Sequence, residues 1–509
     1  MKSFFGRPQG SEELNAAPQV IFAWWVRLTA RSGLRSGLTS CYALMRAILL
    51  VCFVCTLAAD AATRPNIVVF VADDHGFADS EVYGSTEVRT PNMLRLAAAG
   101  LTFSNAFVAS PSCAPSRAAL LTGLMPARNG AEANHSKPRA EIKKLPAWLQ
   151  ELGYEVASFG KVSHYKHTQD YGFDYFAHDA FHEHEAIPAA LKWLRERSSE
   201  KPLCLFVGSN WPHVPWPEDA NSAPAPSANL PNHVDTPETR EARRRYFAAV
   251  ARMDTELGHV YDASRARLGT NTLFLHTSDH GAQFPFGKWN CYDAGIRTSL
   301  IVAWPGVVKA GTSTGAMVNW VDILPTLVGA AGGKVPADID GRSFLGVLSG
   351  QETSHRDRIF TTHSGDGNMN VYPMRSVRTA DWKFILNLHP EFQFTTHIDL
   401  DPRAGAKAGY WGGYWKSWMD AAATNAAASD MVRRYHRRPS EELYDLRADP
   451  HEQQNLAGDA RHAALRTSMR QELESWMTSQ GDKRTVFNKP RLLNEAGGRK
   501  RKEANTQSK

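Results

Sequence analysis

Cysteine is scarce in this chain: six occur in 509 residues, at positions 41, 52, 55, 113, 204 and 291. The first three lie in or before an N-terminal apolar stretch, and its removal leaves too few for a disulfide framework. With no cysteine pair beyond that stretch and few clustered histidines, the metal chemistry points away from zinc. Repeats are absent as well, and a composition of 43% hydrophobic and 22% charged residues excludes collagenous, coiled-coil or wholly disordered chains. An excess of one charge is missing from the body. The formal +6 is carried by Lys483–Lys509, where nine Lys/Arg face two Glu for a net +7, so residues 1–482 sum to −1. That excludes a body that binds nucleic acid through its charge, and GGRKRKEANTQSK reads as a solvated, disordered tail.

Long apolar runs are also lacking, with one exception. MRAILLVCFVCTLAADA (Met45–Ala61) has a basic residue, about a dozen apolar ones and a small-x-small end at Ala59-Asp60-Ala61. That pattern is a secretory signal, too short for a membrane span. It begins at an internal methionine behind an aperiodic extension, so the expected protein is exported with no stable span after signal removal. The expected organisation is residues 1–61 as extension and signal (signal 45–61), 62–350 as a catalytic domain, 351–482 as a smaller domain and 483–509 as the tail.

The body alternates strands and helices. NIVVFVADD from Asn66, YEVASFGK (Tyr154–Lys161), PLCLFVGSNWPH (Pro202–His213) and NTLFLHTSDHG (Asn271–Gly281) are continuous apolar strands of the kind found in parallel sheets covered on both faces. Cys204 falls inside one of them as a packed thiol. TPNMLRLAAAG (Thr90–Gly100) has a Thr N-cap, a Pro at the first helical position and a Gly stop. The predicted fold class is α/β, a large mainly parallel sheet sandwiched by helices. After about Gly350 a smaller α+β domain is expected. Its antiparallel strands lie in PMRSVRTADWKFILNL (Pro373–Leu388) and ELYDLRADPHEQQNLA (Glu442–Ala457), and a helix runs from about Ala460 to Ser479. Trp411, Trp415 and Trp418 crowd one insert, which suits either carbohydrate stacking or packing.

Asp73-Asp74, Lys161, His213 and Asp279-His280 all fall at or just past the C-terminal ends of these strands, the edge where open parallel sheets bind ligands. Asp73, Asp74 and Asp279 make an oxygen-rich site for a hard cation, Ca²⁺ or Mg²⁺. Cys113 opens SCAPSRAALLTG, a short apolar helix stopped by Gly123. Its thiol faces the unpaired N–H groups of a helix N-terminus, where an anion docks, and Arg117 adds a fork of donors suited to sulfate or phosphate.

The string C-x-P-S-R-x-x-x-L-x-G resembles the signature of the sulfatase family, in the alkaline-phosphatase-like superfamily, and the resemblance runs over roughly residues 64–480. It implies that Cys113 is oxidised to formylglycine (3-oxoalanine) by a formylglycine-generating or anaerobic maturation enzyme. It further implies that Asp73, Asp74, Cys113, Asp279 and His280 surround the cation. His280 stands where the family commonly has Asn, so it either ligates or hydrogen-bonds a sulfate oxygen. Arg117 and Lys161 would steady the aldehyde hydrate, Lys288 would contact the sulfate, and His213 would bind sulfate and protonate the leaving group. In GKVSH two residues separate Lys161 from His164, as in the iduronate-sulfatase branch, leaving His164 or His167 as the base that regenerates the aldehyde. YPMRSVR (Tyr372–Arg378) and ELYDLRADPHEQQNLA resemble the C-terminal part of heparan N-sulfatases, which makes His363 and Asp366, in the preceding THSGDGNMN, candidate sugar contacts. Lys288 stands where those enzymes carry arginine and agrees with O-sulfatases, so N- and O-sulfate both stay open. The expected reaction is release of sulfate from a sulfated saccharide or glycosaminoglycan. The alternatives are a phosphonate or phosphodiester hydrolase of the same superfamily, or a non-catalytic glycan-binding relic.

Overall fold

The computed structural model describes residues 64–494 apart from 179–183, 221–222, 224–225, 227–230, 335 and 401–412. The expected signal, Cys41, Cys52, Cys55, Trp411 and the last fifteen residues of the tail (495–509) lie outside the described residues. Among the described residues no helix is long and apolar enough to cross a membrane.

The strands of the first part are β1 (Asn66–Ala72), β2 (Leu101–Phe103), β3 (Ala106–Phe107), β4 (Glu155–Gly160), β5 (Tyr175–Ala177), β6 (Leu203–Gly208), β7 (Thr272–Ser278), β8 (Arg297–Thr298), β9 (Leu300–Ala303), β10 (Thr312–Thr314) and β11 (Val318–Asn319). Eight of them form one sheet in the order β10-β2-β9-β7-β1-β6-β4-β5. The four strands read from apolar runs, β1, β4, β6 and β7, are its parallel centre, with Val69 opposite both Phe206 and Leu275. β1 is buried on both faces because its residues alternate between two cores. Val68, Phe70 and Ala72 pack on one side with Tyr246, Val250, Met253 and Leu257 of the long helix Pro237–Leu268. Ile67, Val69 and Val71 pack on the other with Leu120, Leu121, Leu149, Leu324 and Leu327. At about 1.5–3 kcal/mol per fully buried aliphatic or aromatic side chain, these two layers hold the sheet in place. The mainly parallel, helix-sandwiched architecture is the one expected. β9 is the exception: it runs antiparallel to β7 and β2, and its four residues are too short to signal direction in sequence. β3, β8 and β11 form a separate three-stranded sheet.

The second large sheet is antiparallel, with β12 (Ile359–His363), β13 (Met374–Arg378), β14 (Trp382–Asn387) and β15 (Glu441–Asp445) in sequence order. Thr379 closes the β13–β14 turn, its hydroxyl accepting from Trp382 N at 2.9 Å. The helix Ala463–Ser479 covers one face of this sheet, with Met469, Leu473 and Met477 on Val377, Phe384 and Leu443. One further point differs from the sequence reading, and another decides between alternatives that it left open. Residues 491–493, inside the expected disordered tail, pair with 391–393 through Gln393 N to Arg491 O (2.8 Å) and Leu493 N to Glu391 O (3.1 Å). Trp415 and Trp418 are core residues, 7% and 0% exposed, and Trp418 Nε1 donates to Thr239 Oγ1 at 2.8 Å.

Candidate active site

Strand register assembles the site. Ala72 and Ser278 are partners at the ends of β1 and β7, so the residues that follow, Asp73-Asp74 and Asp279-His280, emerge side by side. Asp74 turns out of the strand with φ 64° and donates its N–H to Asp279 Oδ1 at 3.0 Å. Lys161 leaves β4 where Gly160 (φ 73°) passes so close to β6 that a Cβ would lie 2.1 Å from Gly208 O, and only glycine fits there. The helix that carries Cys113 runs Cys113–Thr122 with Ser112 as N-cap, and Gly123 ends it at φ 67°. Cys113 is thus its first residue and Pro115 its third; proline is harmless anywhere in a first turn whose N–H groups lack helical partners.

Arg117, 1% exposed, ties these elements together. Its Nε donates to Asp279 Oδ2 at 3.0 Å and its NH2 to Asp73 Oδ1 at 3.0 Å, while NH1 donates to the Lys161 carbonyl. Lys161 Nζ donates to Asp73 Oδ2 and lies 3.7 Å from Cys113 Sγ. Lys288 Nζ donates to both oxygens of Asp74, at 2.9 and 2.8 Å. His280 Nε2 lies 3.3 Å from Cys113 Sγ and 3.5 Å from Asp74 and Asp279. His213 Nε2 is 3.8 Å from Asp74 Oδ2. Nine of the residues read from sequence (Asp73, Asp74, Cys113, Arg117, Lys161, His213, Asp279, His280 and Lys288) therefore converge in one buried cluster.

The charges balance: three carboxylates face Arg117, Lys161 and Lys288. Burial works to raise the Asp73 carboxyl, but Lys161, His213 and Arg117 overcome it and hold it well below the usual range. Asp74 goes the other way: burial, helped by Asp73 and Asp279, outweighs Lys288 and His280 and raises it. Burial also pushes the Cys113 thiol up, so the sulfur is neutral in this unmodified form. His213 is pushed well down by burial and by Lys161 and Lys288.

The donor set fits a hard cation. Oxygen, sulfur and nitrogen atoms of Asp74, Cys113, Asp279 and His280 lie within 4.8 Å of one another. His280 contacts the Gly281 carbonyl through Nδ1 at 3.1 Å and turns Nε2 toward the cluster, the arrangement of a metal-binding histidine. Asp73 stands beside this group, with Oδ1 3.8 Å from Cys113 Sγ. A divalent ion would add positive charge to a cluster whose formal charges cancel without it.

Of the two base candidates, His164 is pushed well down by burial and by the nearby Lys161, and the His167 ring lies with its centroid 5.4 Å from that of His164. The proposed sugar contacts are turned inward. His363 is 1% exposed with Nε2 2.7 Å from Asn370 Oδ1, and Asp366 is 2% exposed with both oxygens engaged. Sequence reasoning missed the partners of Asp366: Asn134, His135, Trp289 and His397. Trp289 adjoins Lys288 and could have been suspected from that; the others carry no sequence signal.

A family model described as "Sulfatase" matches residues 65–333, and one described as "N-sulphoglucosamine sulphohydrolase, C-terminal" matches 280–403. The chain is 30% identical over 436 residues to an "Ulvan-active sulfatase" of Formosa agariphila, covering 82% of this chain and 81% of that one. It is 29% identical over 479 residues to the N-sulphoglucosamine sulphohydrolase of Homo sapiens, covering 81% and 90%. The fold also matches a solved structure holding D-glucosamine-2-N,6-O-disulfate as substrate, with TM-score 0.62, 21% identity and coverage of 84% and 100%. The phosphonate monoester hydrolase of Agrobacterium radiobacter shares the fold at TM-score 0.60 and 19% identity, covering 82% and 96%. With the signature, the strand-end cluster and a family match over more than half the chain in agreement, this protein belongs to the sulfatase family of sulfate-ester hydrolases.

Proposed function

We propose that the protein is an exported sulfatase that removes sulfate, as ester or sulfamate, from a sulfated saccharide, using a formylglycine made from Cys113 and a Ca²⁺ or Mg²⁺ ion. The observation that carries this reading is Cys113 Sγ at the helix N-terminus, within 4 Å of Lys161, His280 and Asp73 at once. Asp74, Asp279, His280 and residue 113 would hold the ion, with Asp73 beside them. The ion would withdraw charge from the sulfate oxygens, and the formylglycine hydrate would supply the nucleophile. Arg117 and Lys161 hold residue 113 in place. Lys288 leaves Asp74 for the incoming sulfate, and the negative charge of that sulfate favours the protonated form of His213, which then gives its proton to the departing oxygen or nitrogen. His164 takes the proton released when the bound sulfate is let go. In sum, water is consumed, the S–O or S–N bond breaks, and alcohol or amine leaves with sulfate.

Similarity to an ulvan-active sulfatase and to N-sulphoglucosamine sulphohydrolase supports a saccharide substrate, and Lys288 favours an O-sulfate. The test is a panel of N- and O-sulfated saccharides beside a phosphonate ester, with and without chelator, on protein whose Cys113 peptide has been weighed by mass spectrometry. Formylglycine and chelator-sensitive sulfate release are expected. An intact thiol in protein from its own host, or turnover of the phosphonate alone, overturns the reading.

A further inference from the structure

We propose that Asp366 is a positioning residue that sets the ring tautomer of His164 through His135, leaving His164 Nδ1 bare to act as a base. What that base does rests on the sulfatase reading; the tautomer does not.

The assignment follows from which atoms can only donate. Asp366 Oδ2 accepts from the indole Nε1 of Trp289 at 2.8 Å and from Asn134 Nδ2 at 2.9 Å. The Asn134 amide cannot turn round, because its Oδ1 accepts the backbone N–H of Ala114 at 3.0 Å. The other oxygen, Oδ1, faces His135 Nε2 at 3.0 Å. Burial works to raise this carboxyl, but the His135 and His397 hydrogen bonds reverse it and hold it well below the usual range. It is therefore an ionised acceptor, and His135 Nε2 carries a proton. In the neutral ring His135 Nδ1 is then a lone pair. The atom facing it at 2.7 Å is His164 Nε2, which must donate, so His164 Nδ1 is bare. That nitrogen is buried and has no partner among the described residues. An unmet buried acceptor calls for a function.

The backbone holds the chain of contacts in register. Asn134 N donates to Gly365 O at 2.9 Å, and His135 sits in the left-handed region at φ 66°. One carboxylate thus references the start of the helix that carries Cys113 through Asn134 and Ala114, the neighbour of Lys288 through Trp289, and the base through His135. When His164 Nδ1 takes a proton, the imidazolium keeps its Nε2–H on His135, and no bond beyond that N–H is made or broken in the relay.

Asp366→Asn tests this without removing a heavy atom. Two fixed donors still face the Oδ2 position, so the amide oxygen settles there and the NH₂ group takes the place of Oδ1. His135 Nε2 must now accept, its proton moves to Nδ1, and His164 receives at Nε2 and carries its own proton on Nδ1. Amide-for-carboxylate swaps that impose the wrong tautomer lower kcat by up to about 10⁴-fold, and general-base losses run about 10²–10⁴-fold. A kcat loss in that range is expected with KM within about threefold of wild type. In ¹⁵N-histidine spectra, assigned by the signals missing in His164→Gln, His164 Nδ1 should read as unprotonated in wild type and protonated in Asp366→Asn. In a His135→Ala background, Asp366→Asn should cost less than about threefold more. A protonated His164 Nδ1 in wild type overturns the proposal, as does an undiminished Asp366→Asn loss without His135. If wild type turns over no sulfated saccharide, the sulfatase reading fails while the ring-nitrogen spectra still decide the tautomer.

Discussion

Arg117→Met is the substitution that probes the site's construction most directly. The guanidinium is 1% exposed and donates to Asp279 at 3.0 Å, Asp73 at 3.0 Å and the carbonyls of Lys161 and Val162. Methionine fills much of the volume and supplies none of these donors. Asp73 keeps Lys161 as a cationic partner, whereas Asp279 keeps, among the described residues, the backbone N–H of Asp74 and the flanking His280. Removing one partner of a buried ion pair costs about 3–5 kcal/mol because the surviving charge is left uncompensated. The cost sits at this end of the range or above it, since the same change also orphans backbone acceptors. With a urea slope near 3 kcal/mol/M, the midpoint should fall by about 1 M or more. The assay is urea unfolding followed by tryptophan fluorescence in the presence of chelator. Adding millimolar Ca²⁺ or Mg²⁺ should stabilise the variant more than the wild type, because the ion replaces a missing positive charge among three carboxylates. A midpoint loss below about 0.3 M, or equal stabilisation of both proteins by the ion, would refute the view that Arg117 neutralises this cluster.

Three further outcomes are expected. Cys113→Ala should abolish sulfate release while leaving thermal unfolding within about 2 °C, since it removes one small neutral group from a buried cluster; residual turnover above about 1% counts against Cys113 as the nucleophile's source. Lys288→Ala should lower kcat/KM about 10²–10³-fold, the loss typical of one preorganised donor to developing charge, as read by initial rates on the best panel substrate. Asp322 is held at about 2 against the opposing effect of burial, by Arg356 and His355. Its folded value lies below the unfolded one, so it contributes stability that is fully present above about pH 4 and is lost as pH falls through about 2. Near 1.4 kcal/mol per unit this amounts to about 2 kcal/mol. Acid-unfolding curves of wild type and Asp322→Asn should converge below about pH 2 and separate above pH 4; parallel curves would remove Asp322 from the account.

How much of the site is legible in the sequence depends on the kind of signal each residue carries. β1, β4, β6 and β7 announce themselves as continuous apolar runs because each is buried on both faces. Parallel strands in one sheet put all their C-terminal ends on one edge, so a polar residue just past such a run acquires a spatial address from sequence alone. Asp73, Asp74, Lys161, His213 and Asp279 group together for that reason. Cys113 and Arg117 lie on one helix, and Lys288 is reached only through the family motif. β9 carries no signal of direction, because a four-residue buried strand looks the same whichever way it runs.

Asp366 shows where this kind of reading stops. In sequence it is an acidic residue in a Gly-rich loop, THSGDGNMN, where the ordinary expectation is a solvated side chain or a ligand contact. Its four partners lie 232, 231, 77 and 31 residues away, none at a spacing that any helix or strand period connects. What makes the carboxylate matter is that two of its donors, an indole and an amide held by Ala114 N, cannot reverse their polarity. Directionality of hydrogen bonds is invisible to composition and periodicity and appears only when atoms are placed. The same reasoning changes what His164 and His167 mean. The sequence offers two histidines, three and six residues after Lys161, and leaves both open. Under the tautomer we propose, the base is the ring whose free nitrogen is specified by a fixed carboxylate. Among the described residues that ring is His164.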